Sequence, residues 1–250
     1  MPRFFIRQEQ IDNGKIRILG DDAHHISYSL RMAVGESLTV CDMQGIEYEC
    51  TIEAFGEGEV SLNIEESRAS LNEPNIIIRL FQALPKGDKL DSVIQKAVEC
   101  GVCEITPFES ERCIVKIKSE AEPKKTERRQ RIAKEAAKQS GRSVIPAVEP
   151  SISFAEMIKR ASESDLCLFC YEGDGTVPLG KILRDIDLEH KERGFSVSVV
   201  IGSEGGFSLA EVEKARGAGF VLAGLGKRIL RTETAPIFAL SALVCFTELM

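Results

Sequence analysis

Near residue 73 the hydrophobic pattern of this 250-residue chain changes period, which limits the fold to two differently built parts. Before that point short β-rich runs recur at Arg3–Arg7, Lys15–Leu19, Ser37–Asp42, Glu47–Ala54 and Glu59–Ile64. Turn residues separate them, among them Asp12-Asn13-Gly14, Gln44-Gly45 and Gly56-Glu57-Gly58. This spacing predicts a small β-barrel over residues 1–72. The polar, aperiodic stretch Glu65–Pro74 is the expected linker. Beyond it, predicted strands (Ile76–Leu84, Ile105–Phe108, Leu166–Tyr171, Ser196–Ile201) alternate with predicted helices (Lys89–Cys100, Thr126–Ser140, Leu209–Ala215, Ala235–Leu249). That alternation predicts an α/β domain over 73–250, with a parallel sheet and helices on both faces.

Composition excludes several classes. Apolar residues at 43% and charged residues at 28% are those of a globular protein with a core. The longest apolar stretch, Ala235–Phe246, is shorter than the roughly 20 residues of a membrane span and contains Pro236. The N-terminus shows no basic segment followed by an apolar one, so a cytoplasmic protein without membrane attachment is expected. The net charge of −7 argues against a protein that coats nucleic acid. Its distribution is uneven: residues 1–72 carry six basic and thirteen acidic side chains, whereas 112–142 carry eleven basic and four acidic. The basic stretch suits one defined RNA contact or, more plainly, a solvated helix face. Two Cys-x-x-Cys pairs, Cys100/Cys103 and Cys167/Cys170, stand too far apart for a zinc knuckle. The second pair falls in a buried strand, where residues three apart face opposite ways, so no metal is expected.

Two segments carry chemistry. In Val197–Glu211 a buried strand enters Gly202-Ser203-Glu204-Gly205-Gly206 and then a helix, with Ser208 and Glu211 at capping-box spacing and Phe207 and Val212 at staple spacing. Glycines there let a ligand approach the backbone, and open α/β sheets bind ligands at strand carboxyl ends. The second segment, Leu225–Ala235, holds Lys227, Arg228 and Arg231 and a helix start expected to be capped by Thr234. Neither is a dinucleotide fingerprint or a P-loop.

Together, in this order, these segments resemble the RsmE family of ribosomal-RNA methyltransferases of the SPOUT superfamily. Matching fragments extend along the chain: Arg3-Phe-Phe-Ile, His24-His25 with Leu30-Arg31-Met32, Lys86-Gly-Asp-Lys89, Gln95-Lys-Ala, Ser110-Glu-Arg112, Gln139-Ser-Gly-Arg142 and Ile145-Pro146. Ser203 departs from the pattern, standing where the family usually has proline. The resemblance implies an N-terminal PUA-like β-barrel, a C-terminal SPOUT domain with a trefoil knot, S-adenosylmethionine as cofactor, and a homodimer. It implies methylation of a uridine N3 in the decoding region of 16S rRNA in the small ribosomal subunit. It further implies cofactor contacts from Tyr171, Glu172, Ile201, Gly202, Ser203, Glu204, Gly205, Gly206, Leu225, Gly226, Ile229, Leu230, Arg231, Thr234 and Ala235.

Uracil N3 carries a proton, so the reaction needs a base or a cation that stabilises the imide anion. The histidine of the C-terminal half, His190, lies in a polar stretch and is expected at the surface. Arg231 and Arg112 are therefore the first catalytic candidates, with Glu233 and Glu204 as candidate bases. RNA contacts are expected from Arg3, Arg7 and Arg31 in the barrel, with Arg3 and Arg7 on one strand face. The basic stretch would add Lys124, Lys125, Arg128, Arg129, Arg131, Lys138 and Arg142. A 2′-O-ribose methyltransferase and a catalytically silent RNA-binding assembly factor are the competing readings.

Overall fold

The computed structural model describes residues 1–117, 119–186 and 194–249; His190 lies outside them. The chain divides into two units: Met1–Glu73 with Ala137–Ile145, and Pro74–Ala136 with Pro146–Met250.

The first unit is a bent six-stranded sheet built from β1 (Arg3–Phe5), β2 (Ile11–Asp12), β3 (Lys15–Leu19), β4 (Ser37–Cys41), β5 (Ile46–Gly56) and β6 (Glu59–Ala69). The spatial order is β1-β4-β5-β6-β3-β2, antiparallel except for the β1–β4 pair. Alternation explains the inside: Ile16 and Ile18 of β3 are buried while Lys15, Arg17 and Leu19 are exposed. They meet Phe4, Ile26, Leu38, Val40, Ile52, Val60 and Leu62 in one core. Between β3 and β4 the chain forms α1 (Gly20–His24), which continues as one π-helical turn, His25–Ser29.

Two expectations for this unit are corrected. Residues Glu65–Ala69 are not linker; they continue β6 against Ile46–Glu49, because ladder hydrogen bonds need no apolar side chains. Irregularities at Glu49/Cys50 and Ile52/Ala54 let this long hairpin bend. Arg3 and Arg7 do not share a strand face, since β1 ends at Phe5 and Arg7 precedes a short 3-10 turn.

The second unit is a parallel sheet. Its strands are β7 (Ile77–Ala83), β8 (Glu104–Glu109), β9 (Ala147–Val148), β10 (Ile152–Ser153), β11 (Leu166–Cys170), β12 (Val177–Pro178), β13 (Ser196–Ile201) and β14 (Val221–Gly224). Among the described residues the order is β10-β8-β7-β13-β11-β14-β12, with β9 beside β8. The connecting helices are α2 (Lys89–Glu99), α3 (Glu122–Ser140), α4 (Phe154–Ala161), α5 (Leu179–Asp185), α6 (Leu209–Gly217) and α7 (Ala235–Glu248). The short α4 and α5 escape the sequence reading because two turns carry little periodic signal. Strand order reverses about β7 and β13: the chain first builds outward through β8, then returns to β11 and inserts β13 between β7 and β11. Such a reversal opens a crevice at the strand carboxyl ends.

Several cysteines belong to the cores. Burial pushes the thiols of Cys41 and Cys167 up to about 11 and those of Cys50 and Cys170 to about 12. Cys167 donates a hydrogen bond to the Ala161 carbonyl at 2.9 Å, as a packed side chain would. Cys245 is exposed. Because the thiolate is the reactive form, brief iodoacetamide treatment of native protein at pH 8 is expected to modify Cys245 first. Peptide mass analysis should find Cys50 and Cys170 unmodified; rapid alkylation of either would contradict this packing.

Candidate active site

The crevice is built from the loops that leave the central strands. Strand β13 is buried along its whole length and delivers the chain into Gly202–Gly206. The turn closes with Gly206 N–H donating to the Ser203 carbonyl at 2.9 Å, with Gly206 at φ +64°. A Cβ on Gly202 would stand 3.1 Å from the Phe207 ring and 3.3 Å from Gly206 Cα, so a side chain there would have to displace the ring or the turn by a few tenths of an ångström. Phe207 anchors the turn, its ring centroid 4.1 Å from Phe169 and 6.4 Å from Phe108. The expected capping box forms: Glu211 N–H donates to Ser208 Oγ and Ser208 N–H to Glu211 Oε2. Ser208 also donates to Glu111, whose backbone N–H reaches Glu211, so the segment after β8 is clipped to the start of α6.

The Leu225–Ala235 segment is fastened to the same turn by a hydrogen-bonded triad. Thr232 Oγ1 donates to the Gly202 carbonyl at 2.7 Å and accepts from Gln82 Nε2 at 3.1 Å. Gln82, the second-last residue of β7, is fully buried and its amide also donates to the Ala83 carbonyl. Thr234 starts α7 but makes no side-chain cap, which corrects the expectation. It takes a helical conformation rather than the extended one a cap needs, and Pro236 at the second helical position has no N–H to receive it.

Charges line one side. Lys89, opening α2, places Nζ 2.8 Å from Glu204 Oε1 and 3.5 Å from Glu233 Oε2. The Lys86 backbone N–H also donates to Glu204. Burial pushes the Glu204 carboxyl upward, but the Lys89 hydrogen bond, two backbone hydrogen bonds and the Lys89 charge together outweigh it and hold Glu204 below the usual carboxylate range. Arg231 is 84% exposed, with Nη1 4.0 Å from Glu233. Arg112 donates to the Gly205 carbonyl at 3.1 Å.

These segments enclose a cavity of about 360 Å³, ample for a small cofactor. Of the residues expected at a cofactor site, Tyr171, Glu172, Ile201, Gly202, Ser203, Glu204, Gly206, Leu225, Gly226, Ile229, Leu230, Arg231 and Ala235 line it, and so does Glu233. Gly205 and Thr234 do not. Gly205 backs onto Arg112, whose Cβ is 3.0 Å from where a glycine substituent would stand. Sequence reasoning missed Lys89, Cys170, Phe207, Arg228 and Thr232 as lining residues, and Gln82 as their support. Gln82 Oε1, Ser203 Oγ and Glu233 Oε2 are buried without a hydrogen-bond partner among the described residues.

Comparison with known proteins matches this architecture. Residues 72–244 match the RNA methyltransferase domain family, and residues 18–65 the RNA methyltransferase PUA domain. Ribosomal RNA small subunit methyltransferase E of Bacillus subtilis is 37% identical over 253 aligned residues, covering 100% of this chain and 98% of that protein. The enzyme of that name from Synechocystis is 30% identical, covering 98% and 78%. A crystal structure of ribosomal RNA small subunit methyltransferase E from Neisseria gonorrhoeae, bound to S-adenosyl methionine, superposes with TM-score 0.83 at 32% identity, over 97% and 96% of the chains. The chain belongs to the RsmE family.

The expected RNA-contacting cations of this RsmE-family chain fall into two sets. Arg3 is turned to Glu47 at 2.7 Å, Arg142 to Glu73, Arg129 to Glu122 at 3.1 Å, and Lys138 to Asp22 at 3.1 Å. Arg128 pairs with Asp91. Arg3, Arg129 and Arg142 are almost wholly enclosed, and such charges hold their own unit together. Arg7, Arg31, Lys124 and Arg131 are exposed, and Lys125 is half-buried.

Two outcomes test this geometry. Thr232→Val leaves the Gly202 carbonyl with only the long 3.4 Å contact from Gln82. It should cost about 1–3 kcal/mol in urea unfolding, as loss of a buried hydrogen-bond partner does; an unchanged midpoint would remove the triad's importance. Because Glu204 is held low, its pairing with Lys89 stabilises the fold above the ordinary carboxylate pKa and is lost as pH falls through the depressed value. The melting-temperature gap between native protein and Lys89→Met should therefore narrow below about pH 4, whereas a gap independent of pH would contradict the pairing.

Proposed function

We propose that this chain transfers a methyl group from S-adenosylmethionine to N3 of a uridine in the decoding region of 16S rRNA, within the small ribosomal subunit. The reading includes a knotted cofactor domain, a homodimer and a cytoplasmic setting. The observation that carries it is the cavity at the carboxyl ends of β13, β11 and β14, floored by the tight Gly202–Gly206 turn and walled by Ile201, Phe207, Leu225 and Leu230. An apolar slot beside exposed backbone and unpartnered buried polar atoms suits a flat, hydrogen-bonding ligand such as adenosine. The RsmE-family structure with that cofactor supports the assignment.

When bound, the cofactor supplies an activated methyl group, so the chain's work is orientation and management of the N3 proton. Glu233 sits on the cavity wall beside Lys89, which keeps a negative charge there favourable. It is the candidate proton acceptor. Arg231, exposed and four ångströms from Glu233, is free to meet the uracil oxygen on which negative charge develops. Arg112 is a positioning residue, since its guanidinium holds the Gly205 carbonyl. N3 lies on the pairing edge, so the uridine must be unpaired to react. The homodimer reading draws on apolar side chains left exposed in the single chain, Phe238 on α7 and Ile229 before it.

Purified protein, labelled S-adenosylmethionine and small subunits from cells lacking the modification should yield 3-methyluridine on nucleoside mass analysis. A 2′-O-methylated nucleoside would move the assignment to ribose chemistry. No transfer, with no cofactor binding by calorimetry, would leave an RNA-binding assembly factor. Arg231→Ala should lower turnover about a hundredfold or more while calorimetric cofactor affinity changes far less; full turnover would remove Arg231 from the mechanism.

A further inference from the structure

The first unit presents a feature outside the cavity. On α1 and its π-helical continuation, His24 and Tyr28 lie four residues apart and their rings stack, with centroids 4.5 Å apart and planes inclined by 29°. Both are exposed, Tyr28 to 70%, and neither side chain has a hydrogen bond or ion pair among the described residues. An exposed aromatic pair of this kind gains nothing by facing water, whereas most tyrosines that contact only their own chain bury the ring. The turn beneath is rigid. Ala23 and Ile26 are sunk in the core, and His25 sets its ring edge-on to Phe4 at 6.2 Å.

The end of the same turn is strained. Leu30 N–H donates to the His25 carbonyl and Met32 N–H to the Ile26 carbonyl, a closure that forces the intervening Arg31 to φ +54°. Glycine is the residue that takes this conformation without cost, and an arginine held there is worth a functional explanation. Arg31 is exposed and, among the described residues, unpaired. Arg3, Lys15, Arg68, Lys138 and Arg142 of the same unit each meet a carboxylate, whereas Arg7 and Arg17 are exposed as Arg31 is, but on unstrained backbone.

We propose that this turn is a docking platform for one unpaired RNA base, which stacks on the outer face of Tyr28 while Arg31 contacts an adjoining phosphate. The inference rests on the RNA-methylating reading above and adds to the RNA contact expected of Arg31 a base-stacking contact at Tyr28. Charge favours stacking as the mode. Residues 1–72 carry thirteen acidic side chains against six basic, and Asp21 is exposed on the turn itself, so phosphate attraction alone is a poor handle. Stacking on an aromatic ring is indifferent to charge and accepts any base. One free arginine then sets the strand's direction rather than supplying most of the affinity.

The test is titration of the full chain with a fluorescent single-stranded RNA copying the unpaired substrate region, at several salt concentrations. Tyr28→Ala should weaken binding about tenfold or more with an unchanged salt dependence, whereas Tyr28→Phe and Tyr28→Trp should bind as the native chain does. Arg31→Ala should weaken binding and lower the log–log salt slope by about 0.7, one single-strand phosphate's worth. Cofactor affinity by calorimetry should be the same in all four variants, and an unchanged circular-dichroism spectrum and melting curve would show that the first unit still folds. Native-like RNA affinity in Tyr28→Ala overturns the platform and leaves the methyltransferase reading standing. Equal losses in Tyr28→Phe and Tyr28→Ala overturn it too, because the hydroxyl and not the ring would be the contact. A native chain with no affinity for this RNA also overturns the platform, and methyl transfer to small subunits then decides the methyltransferase reading by itself.

Discussion

One threonine hydroxyl decides how the cavity is assembled. Thr232 joins segments 30 residues apart in the chain by donating to Gly202, and it is itself fixed by an amide from β7, 150 residues away. Thr232 and Gln82 are buried, where a hydrogen bond is electrostatically strong and a missing one is costly. Each therefore has essentially one acceptable position. Glycines in the Gly202–Gly206 turn make the backbone easy to shape, but by themselves they leave it flexible; Phe207 and the triad remove that freedom. The cavity floor is a product of this division, with glycine supplying shape and buried contacts supplying order.

Charge is distributed by the same logic. Several cations of the basic stretch are consumed inside their own unit: Glu122 receives Arg129 and Ser151, and Glu73 receives Arg142 together with the Ser143 backbone. Burial raises the Glu47 carboxyl and the hydrogen bonds from Arg3 and Ser70 more than offset this, so it stays ionised well below neutrality. Leaving such a charge alone in the interior would be far more costly than exposing it, so each pair has to persist as a pair. An acidic protein with few uncommitted cations meets RNA at selected points, not as a blanket of positive charge.

Much of this was legible from sequence, for identifiable reasons. Strands β3 and β13 run over the residues that alternation and apolar continuity mark, and the Ser208–Glu211 cap forms as its spacing requires. The two loops were recognisable because glycine and arginine at strand ends have few plain structural uses. Gln82 was invisible, because a polar residue inside an apolar strand declares a partner without naming it. Lys89 looked like a helix-start lysine, and only the fold shows the two carboxylates it meets. Arg3, Arg129 and Arg142 read as RNA contacts because composition counts charges and cannot see that each is already neutralised. The polar tail of β6 failed as a strand signal because its side chains face solvent on both sides, while the ladder is made by backbone.

The site thus has a fixed floor and an open rim, and the two suit different tasks. Ile201, Phe207 and Thr232 are nearly inaccessible, whereas Ile229 and Arg231 are more than four-fifths exposed. A small cofactor gains from a rigid floor, since order already present in the protein need not be imposed on binding. A large RNA brings its own shape, and side chains that close on it can wait in solvent until it arrives. Glu233 stands at the boundary, one oxygen buried toward Lys89 and its neighbour Arg231 free in water. Under the proposed uridine chemistry, that position holds Glu233 in the floor while Arg231 enters from the rim to meet the substrate's developing charge.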